Sequence, residues 1–350
     1  MRSLIKNIIP AILIVASFFS AGCSGACSNP ETAGIDPDPV IADRVLLARF
    51  FDKENVKIAI TDSGLGGLSI TAEAVSLMKE MGVFGKADFI FYNALFSNEG
   101  GYNSLSDRAE KIGKFSAALN SLSRFFNPDI IIIGCNTLSV LYDETEFSSS
   151  AGIPVVGIVE SGVWLIGRSI RETPGAKVII FGTQTTIEEG VHREKLIESG
   201  IPAENVFEQA CPELTNYIEL GYQSPETEML IGAYVDEALS KMGNEPEPFY
   251  ASLNCTHYGY SMELWRKSFE YMGHNPMEIL NPNRDLVKVL YPEEKRARYE
   301  NPEISVRVIS GVRIEPERIK SIEGYLRDLS PLTSKALVDY EFREDLFEKD

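Results

Sequence analysis

The chain has 350 residues, 44% hydrophobic and 24% charged, which suffices for about two ordinary domains with a normal buried core. A formal net charge of −18 and a pI near 4.7 exclude a nucleic-acid binder, which needs a basic face, and electrostatic docking on anionic lipid. With only three His (His192, His257, His274) and no HExxH or CxxC spacing, no metal site is expected.

The chain opens with basic Arg2 and Lys6, then a short apolar run from Ile8 to Phe19. That run is too short to span a bilayer and reads as a signal peptide over residues 1–22. Ala21-Gly22-Cys23 resembles a bacterial lipobox, although Ser20 stands where Leu is preferred. The resemblance implies lipidation of Cys23 and a membrane lipoprotein of the cell envelope, on its periplasmic or extracellular face. Ordinary secretion with cleavage near Ala21 or Ala26 is the alternative. Residues 23–55 then read as a tether, because Ser24 to Pro39 is rich in Ser, Gly, Pro and Asp.

From Val56 onward, short apolar runs alternate with helical patterns. Strands are predicted at Val56–Asp62, Ala87–Asn93, Asp129–Cys135, Pro154–Val159, Lys177–Gly182, Phe249–Cys255 and Ile304–Ser310. Helices are predicted at Leu68–Met81, Leu105–Phe126, Gly162–Arg171, Thr186–Ser199, Glu226–Met242, Met262–Met272 and Glu315–Leu326. Continuous apolar strands between helices indicate an α/β fold with mainly parallel sheets, whose chemistry sits at the strands' carboxyl ends.

Three such ends carry chemistry. Asp62-Ser63-Gly64-Leu65-Gly66-Gly67 is either a tight structural turn or a cradle for an anion; it fits neither GxGxxG nor a P-loop. Ile130 to Ile133 lead into Cys135-Asn136-Thr137, and Tyr250 to Asn254 lead into Cys255-Thr256-His257-Tyr258. A lone Cys at a strand end is usually a small buried hydrophobe. Two of them, each followed by polar donors, suggest paired reactive thiols. His192 and His274 have no such context and read as surface residues.

In this order the segments resemble the glutamate racemase branch of the cofactor-independent aspartate/glutamate racemases, over most of Val56 to about Leu329. Asp62 to Leu68 is similar to the family's DSGxGG opening, Cys135-Asn136-Thr137 to its first CNT and Cys255-Thr256-His257-Tyr258 to its CTHY. Cys211-Pro212 with Glu219 is similar to its CP…E segment, in which Cys211 packs. The resemblance implies two pseudo-symmetric α/β domains with the active site in the cleft between them. Their expected spans are 56–153 plus 277–330, and 154–276; residues 331–350 are left as an acidic, solvated tail. It also implies catalytic Cys135 and Cys255, with Asp62 assisting the first thiol and His257, held by Glu219, the second. Ser63, Tyr102, Asn103, Asn136, Thr137 and Thr256 would bind the substrate, with no cofactor and a homodimer as the assembly to test.

Departures from the family pattern fall on residues that shape the pocket. Gly101-Tyr102-Asn103 stands where the family has Pro-Tyr-Gly, so Asn103 could crowd the pocket; Gly259, Ser161 and Asn254 also differ. An exported enzyme would work on free amino acids outside the membrane. The expected function is two-thiol racemisation of glutamate. The alternatives are an amino-acid-binding lipoprotein on the same scaffold, or a racemase or isomerase for aspartate or another carboxylic acid.

Overall fold

The computed structural model describes residues 44–243 and 248–347, all of which belong to a unit spanning Ile35–Asp350. The signal segment, Cys23 and the tether up to residue 43 lie outside the described residues.

Among the described residues, ten strands form two sheets. The first contains β1 (Asn55–Asp62), β2 (Lys86–Asn93), β3 (Ile130–Ile133), β4 (Val155–Gly157), β9 (Glu303–Ser310) and β10 (Glu341–Phe342), in the order β10-β9-β2-β1-β3-β4. The second contains β5 (Lys177–Gly182), β6 (Val206–Ala210), β7 (Phe249–Asn254) and β8 (Ile279–Leu280), in the order β6-β5-β7-β8. Every pairing is parallel. The run β2-β1-β3-β4 therefore repeats as β6-β5-β7-β8, which is the pseudo-symmetry the sequence led us to expect.

The strands are parallel because both faces are covered. Ile130, Ile131, Ile132 and Ile133 are all fully buried. Along β1, Ile58 and Ile60 enter a core shared with Ile179, Phe181 and Leu253 of the second sheet, while Ala59 faces a separate cluster. At about 25 cal/mol per Å² of apolar surface, this shared core couples the halves far more strongly than any single polar contact.

Helix ends follow local chemistry. Leu68–Met81 has the predicted bounds and stops at Gly82, which takes the left-handed conformation at φ 56°. Arg108–Phe126 starts three residues later than predicted because Asp107 caps it, accepting from the Ala109 N–H. The helix expected over Thr186–Ser199 is two, Gln184–Glu189 and Val191–Glu198, broken at Gly190 with φ 65°. Ile158–Glu172 begins immediately after β4, so the predicted strand loses its last two residues to a helix.

Four expectations are corrected. First, part of the predicted tether is the helix Arg44–Phe51, whose Phe50 and Phe51 pack on Phe84 with ring centroids 5.0 and 5.9 Å away. Second, the acidic tail is folded through residue 347. Helix Pro331–Val338 leads into β10, which pairs with β9, and Leu346 is fully buried. Third, the boundaries between halves move: β4 pairs with β3 and belongs to the first sheet, while β8 pairs with β7 and belongs to the second. Fourth, His192 is buried, and burial lowers its pKa to about 4, with Lys195 adding to the shift; His274 is half-buried.

Candidate active site

The carboxyl ends of β1, β3, β5 and β7 surround a cavity of about 560 Å³. In sheets of this order the strand sequence reverses between β1 and β3, and again between β5 and β7, which leaves a crevice at each reversal. Cys135, just beyond β3, and Cys255, directly after β7, both line this cavity. Both are buried and unpaired in any disulfide.

The two thiols have different neighbours. Cys135 Sγ lies 3.0 Å from the Ser63 hydroxyl. Burial pushes this thiol far above its ordinary pKa, the Asp62 carboxyl adds to the push, and the Ser63 contact opposes it. Cys255 Sγ lies 3.8 Å from His257 Nδ1. On the far side of the ring, His257 Nε2 donates to Glu219 Oε1 at 2.7 Å. Burial by itself would lower the His257 pKa, but the hydrogen bonds to Cys255 and Glu219 more than offset it and hold the ring well above its usual value. Burial also opposes the charge on Glu219. Even so, His257, the Leu65 N–H and Arg318 bring that carboxyl down to about 2.

Asp62 stands beside Cys135 as expected, close enough for its carboxyl to act on that thiol, and one of its oxygens also reaches the other half. Thr256 Oγ1 donates to Asp62 Oδ2 at 2.7 Å, tying the end of β1 to the end of β7. Burial pushes the Asp62 carboxyl up, against the opposing pull of His257 and Thr256. A matching tie runs from the other half, where the Thr137 hydroxyl meets that of Thr183 at 2.9 Å, just past β5.

The glycine-rich turn packs closely against the other half while Ser63 and Gly64 line the cavity. Gly64, Gly66 and Gly67 do not take positive φ; what they supply is closeness. A Cβ on Gly66 would lie 2.2 Å from Thr256 Oγ1 and 2.8 Å from the His257 backbone nitrogen. On Gly64 it would come 3.0 Å from Glu219 Oε1. The loop after β1 is pressed against the second thiol's supports, and side chains would hold it away.

Among the remaining predicted residues, Tyr102 and Asn136 are buried in the cavity wall, while Asn103 lines the cavity as an exposed residue. The Tyr102 hydroxyl, both polar atoms of the Asn136 amide and Asp62 Oδ1 are buried without a hydrogen bond inside the described chain. Buried polar groups are nearly always paired, so this set fits a small ligand carrying both donors and acceptors. Cys211 also lines the cavity, its Sγ 3.7 Å from the Gln209 carbonyl oxygen.

The sequence reading missed Thr183 and Arg318. Thr183 was legible, since it follows a predicted strand as Ser63 does. Arg318 carried no signal: it meets Glu219 Oε2 at 2.7 Å across a separation of 99 residues.

Residues 93–245 match the Asp/Glu/Hydantoin racemase family. The glutamate racemase of Persephonella marina is 26% identical over 220 residues, covering 62% of this chain and 76% of that protein. The glutamate racemase of Nitratiruptor is 24% identical over 277 residues, covering 78% and 97%. Among solved structures, glutamate racemase from Francisella tularensis in complex with D-glutamate superposes with a TM-score of 0.60 at 24% identity, over 78% of this chain and 94% of that one.

Proposed function

We propose that this chain, a member of the aspartate/glutamate racemase superfamily, is an amino-acid racemase that interconverts L- and D-glutamate without a cofactor. One observation carries the reading: two buried thiols at matching strand ends line a single cavity. Inverting a Cα centre requires a base on one side and an acid on the other, and two such thiols supply both. The glutamate racemases it resembles support glutamate as the substrate.

In the proposed reaction, one sulfur as thiolate takes the Cα proton while the opposite thiol delivers its own proton to the other face. One S–H bond forms as the other breaks, and the roles swap for the other hand of substrate. Cys135, whose thiol form burial favours, is the acid of the resting enzyme, and Ser63 gives its sulfur a hydrogen-bonding partner. Cys255 works on the opposite face, with the His257 ring 3.8 Å from its sulfur and Glu219 holding the ring. Asp62 and Thr256 act as a pair bridging the halves. Asn136 and Tyr102 bind the ammonium and carboxylate groups, with Thr137 beside them and Asn103 at the mouth.

Deuterium uptake at Cα in D₂O tests this, using the reduced protein with L- and D-glutamate and then other amino acids. Uptake from both hands of glutamate, with inversion, is expected. No uptake from any amino acid by folded protein with free thiols would overturn the reading.

The start of the chain supports an exported, lipid-anchored enzyme, with Cys23 as the modified residue. Stable anchoring takes more than one acyl chain. Cys23→Ser should move the protein from the membrane fraction to the soluble one; an unchanged distribution would remove the anchor.

A further inference from the structure

Glu219 joins three distant parts of the chain. Its Oε1 accepts from the Leu65 backbone N–H at 2.9 Å as well as from His257. Its Oε2 accepts from Arg318 Nη1 at 2.7 Å. Arg318 stands in the first turn of the helix Pro316–Leu329, which follows β9, so the segment that completes the first sheet reaches across to the second half's acid. Its guanidinium is held at two further points, Asn216 Oδ1 at 2.6 Å and Glu315 Oε2 at 2.8 Å.

We propose that Arg318 is a positioning residue: by gripping Oε2 of Glu219, it keeps Oε1 on His257 and thereby sets the imidazole beside the Cys255 sulfur. This rests on the racemase reading of the site. The terminal torsion of a glutamate is broad, so one hydrogen-bonded oxygen does not fix the carboxylate plane. A single N–H from Nη1 on the second oxygen does, because the planar guanidinium is itself fixed by Asn216 and Glu315. Partners one step removed from the reacting atoms orient them in this way, and losing one typically costs 10- to 100-fold. The contact also differs from a surface ion pair. Arg318 is 23% exposed and Glu219 11%, whereas Arg327 in the pair with Glu323 is 66% exposed. A buried carboxylate needs such a partner to stay ionised. Around His257 and Glu219 the other charged or titratable groups are Asp62, Cys255 and Tyr260, with Glu315 behind Arg318.

The test compares the full chain with its R318Q and R318K variants. Arg318→Gln should lower kcat about tenfold or more; Arg318 also lines the cavity, so a loss confined to KM would mark substrate contact rather than positioning and overturn the proposal. The variant's acid-side limb should move to higher pH, since the lost cation helps keep Glu219 ionised. Arg318→Lys restores the charge and should return the limb toward wild type with part of the rate. The His257 ring signals in NMR, among only three His, should show the same acid-side shift without turnover. A wild-type rate and limb in R318Q would overturn the proposal. So would a loss that R318K does not recover with ring signals unmoved. If the wild-type protein racemises nothing, the racemase reading falls, while the ring signals still report whether Arg318 governs Glu219 and His257.

Discussion

Cys135 follows β3 and Cys255 follows β7, and those strands hold the same place in the repeated order β2-β1-β3-β4 and β6-β5-β7-β8. Each end is tied to the opposite half, through Thr137 and Thr183 on one side and Thr256 and Asp62 on the other. The supports of the sulfurs differ. Beside Cys135 stand the Ser63 hydroxyl and the buried Asp62 carboxyl; beside Cys255 stands the chain His257, Glu219 and Arg318, which brings positively charged partners. A repeated scaffold thus supplies two reaction faces, and the side chains at each strand end decide how its proton is managed.

Substituting either cysteine should have the largest effect and breaks the symmetry most directly. Cys135→Ser and Cys255→Ser should each bring racemisation below detection. The remaining thiol can still exchange the Cα proton of one hand without inverting it, so each variant should label one enantiomer, and the two variants opposite ones. Two-way racemisation by either variant would show that the thiols do not divide the faces.

Next come the supports. His257→Asn should cost about 10²- to 10⁴-fold in kcat, the range of a lost acid–base group, and Ser63→Ala about tenfold. The two hands of glutamate have equal free energy in water, so kcat/KM must fall equally in both directions; any directional difference belongs in kcat and KM separately. Equal losses from the two variants would remove the distinction between a hydroxyl and an imidazolium as the nearest support of each sulfur. Gly66→Ala falls between them at about 10²-fold, because its Cβ displaces Thr256 and His257. Full activity would mean that the loop yields without moving them.

The smallest effect concerns stability and the second half alone, where a further buried histidine lies. Because His192 titrates near 4 when folded and near 6.5 when unfolded, the unfolded chain gains a proton first as pH falls. Stability from this group is complete above about pH 6.5 and is lost by about pH 4, roughly 3 kcal/mol in all. His192→Gln should flatten that part of the pH dependence in urea unfolding. An unchanged slope would assign it to other groups.

The sequence showed where the central strands lie, since β1, β2, β3, β5 and β7 carry apolar runs and β9 alternates β-branched with polar residues. It hid β6, β8 and β10, all at sheet edges. An edge strand has one neighbour and need not be apolar throughout; β6 is Val-Phe-Glu-Gln-Ala with only Val206 and Gln209 buried. His192 escaped for a related reason: a polar residue's burial depends on what packs over it, and no local pattern records that.

By itself the sequence determined the parallel α/β architecture and both cysteines at strand ends, because strand runs and the residues that close them are local. The motif resemblance added Glu219 to Asp62 and His257, which the strand ends already pointed to, and the cavity includes them all. Only the tertiary structure decided that Asp62 pairs with Thr256, that the glycine turn lies close against Thr256 and His257, and that Arg318 reaches Glu219. Each of these joins residues from different halves, and their contact is fixed by how the shared core brings two sheets together rather than by any spacing along the chain.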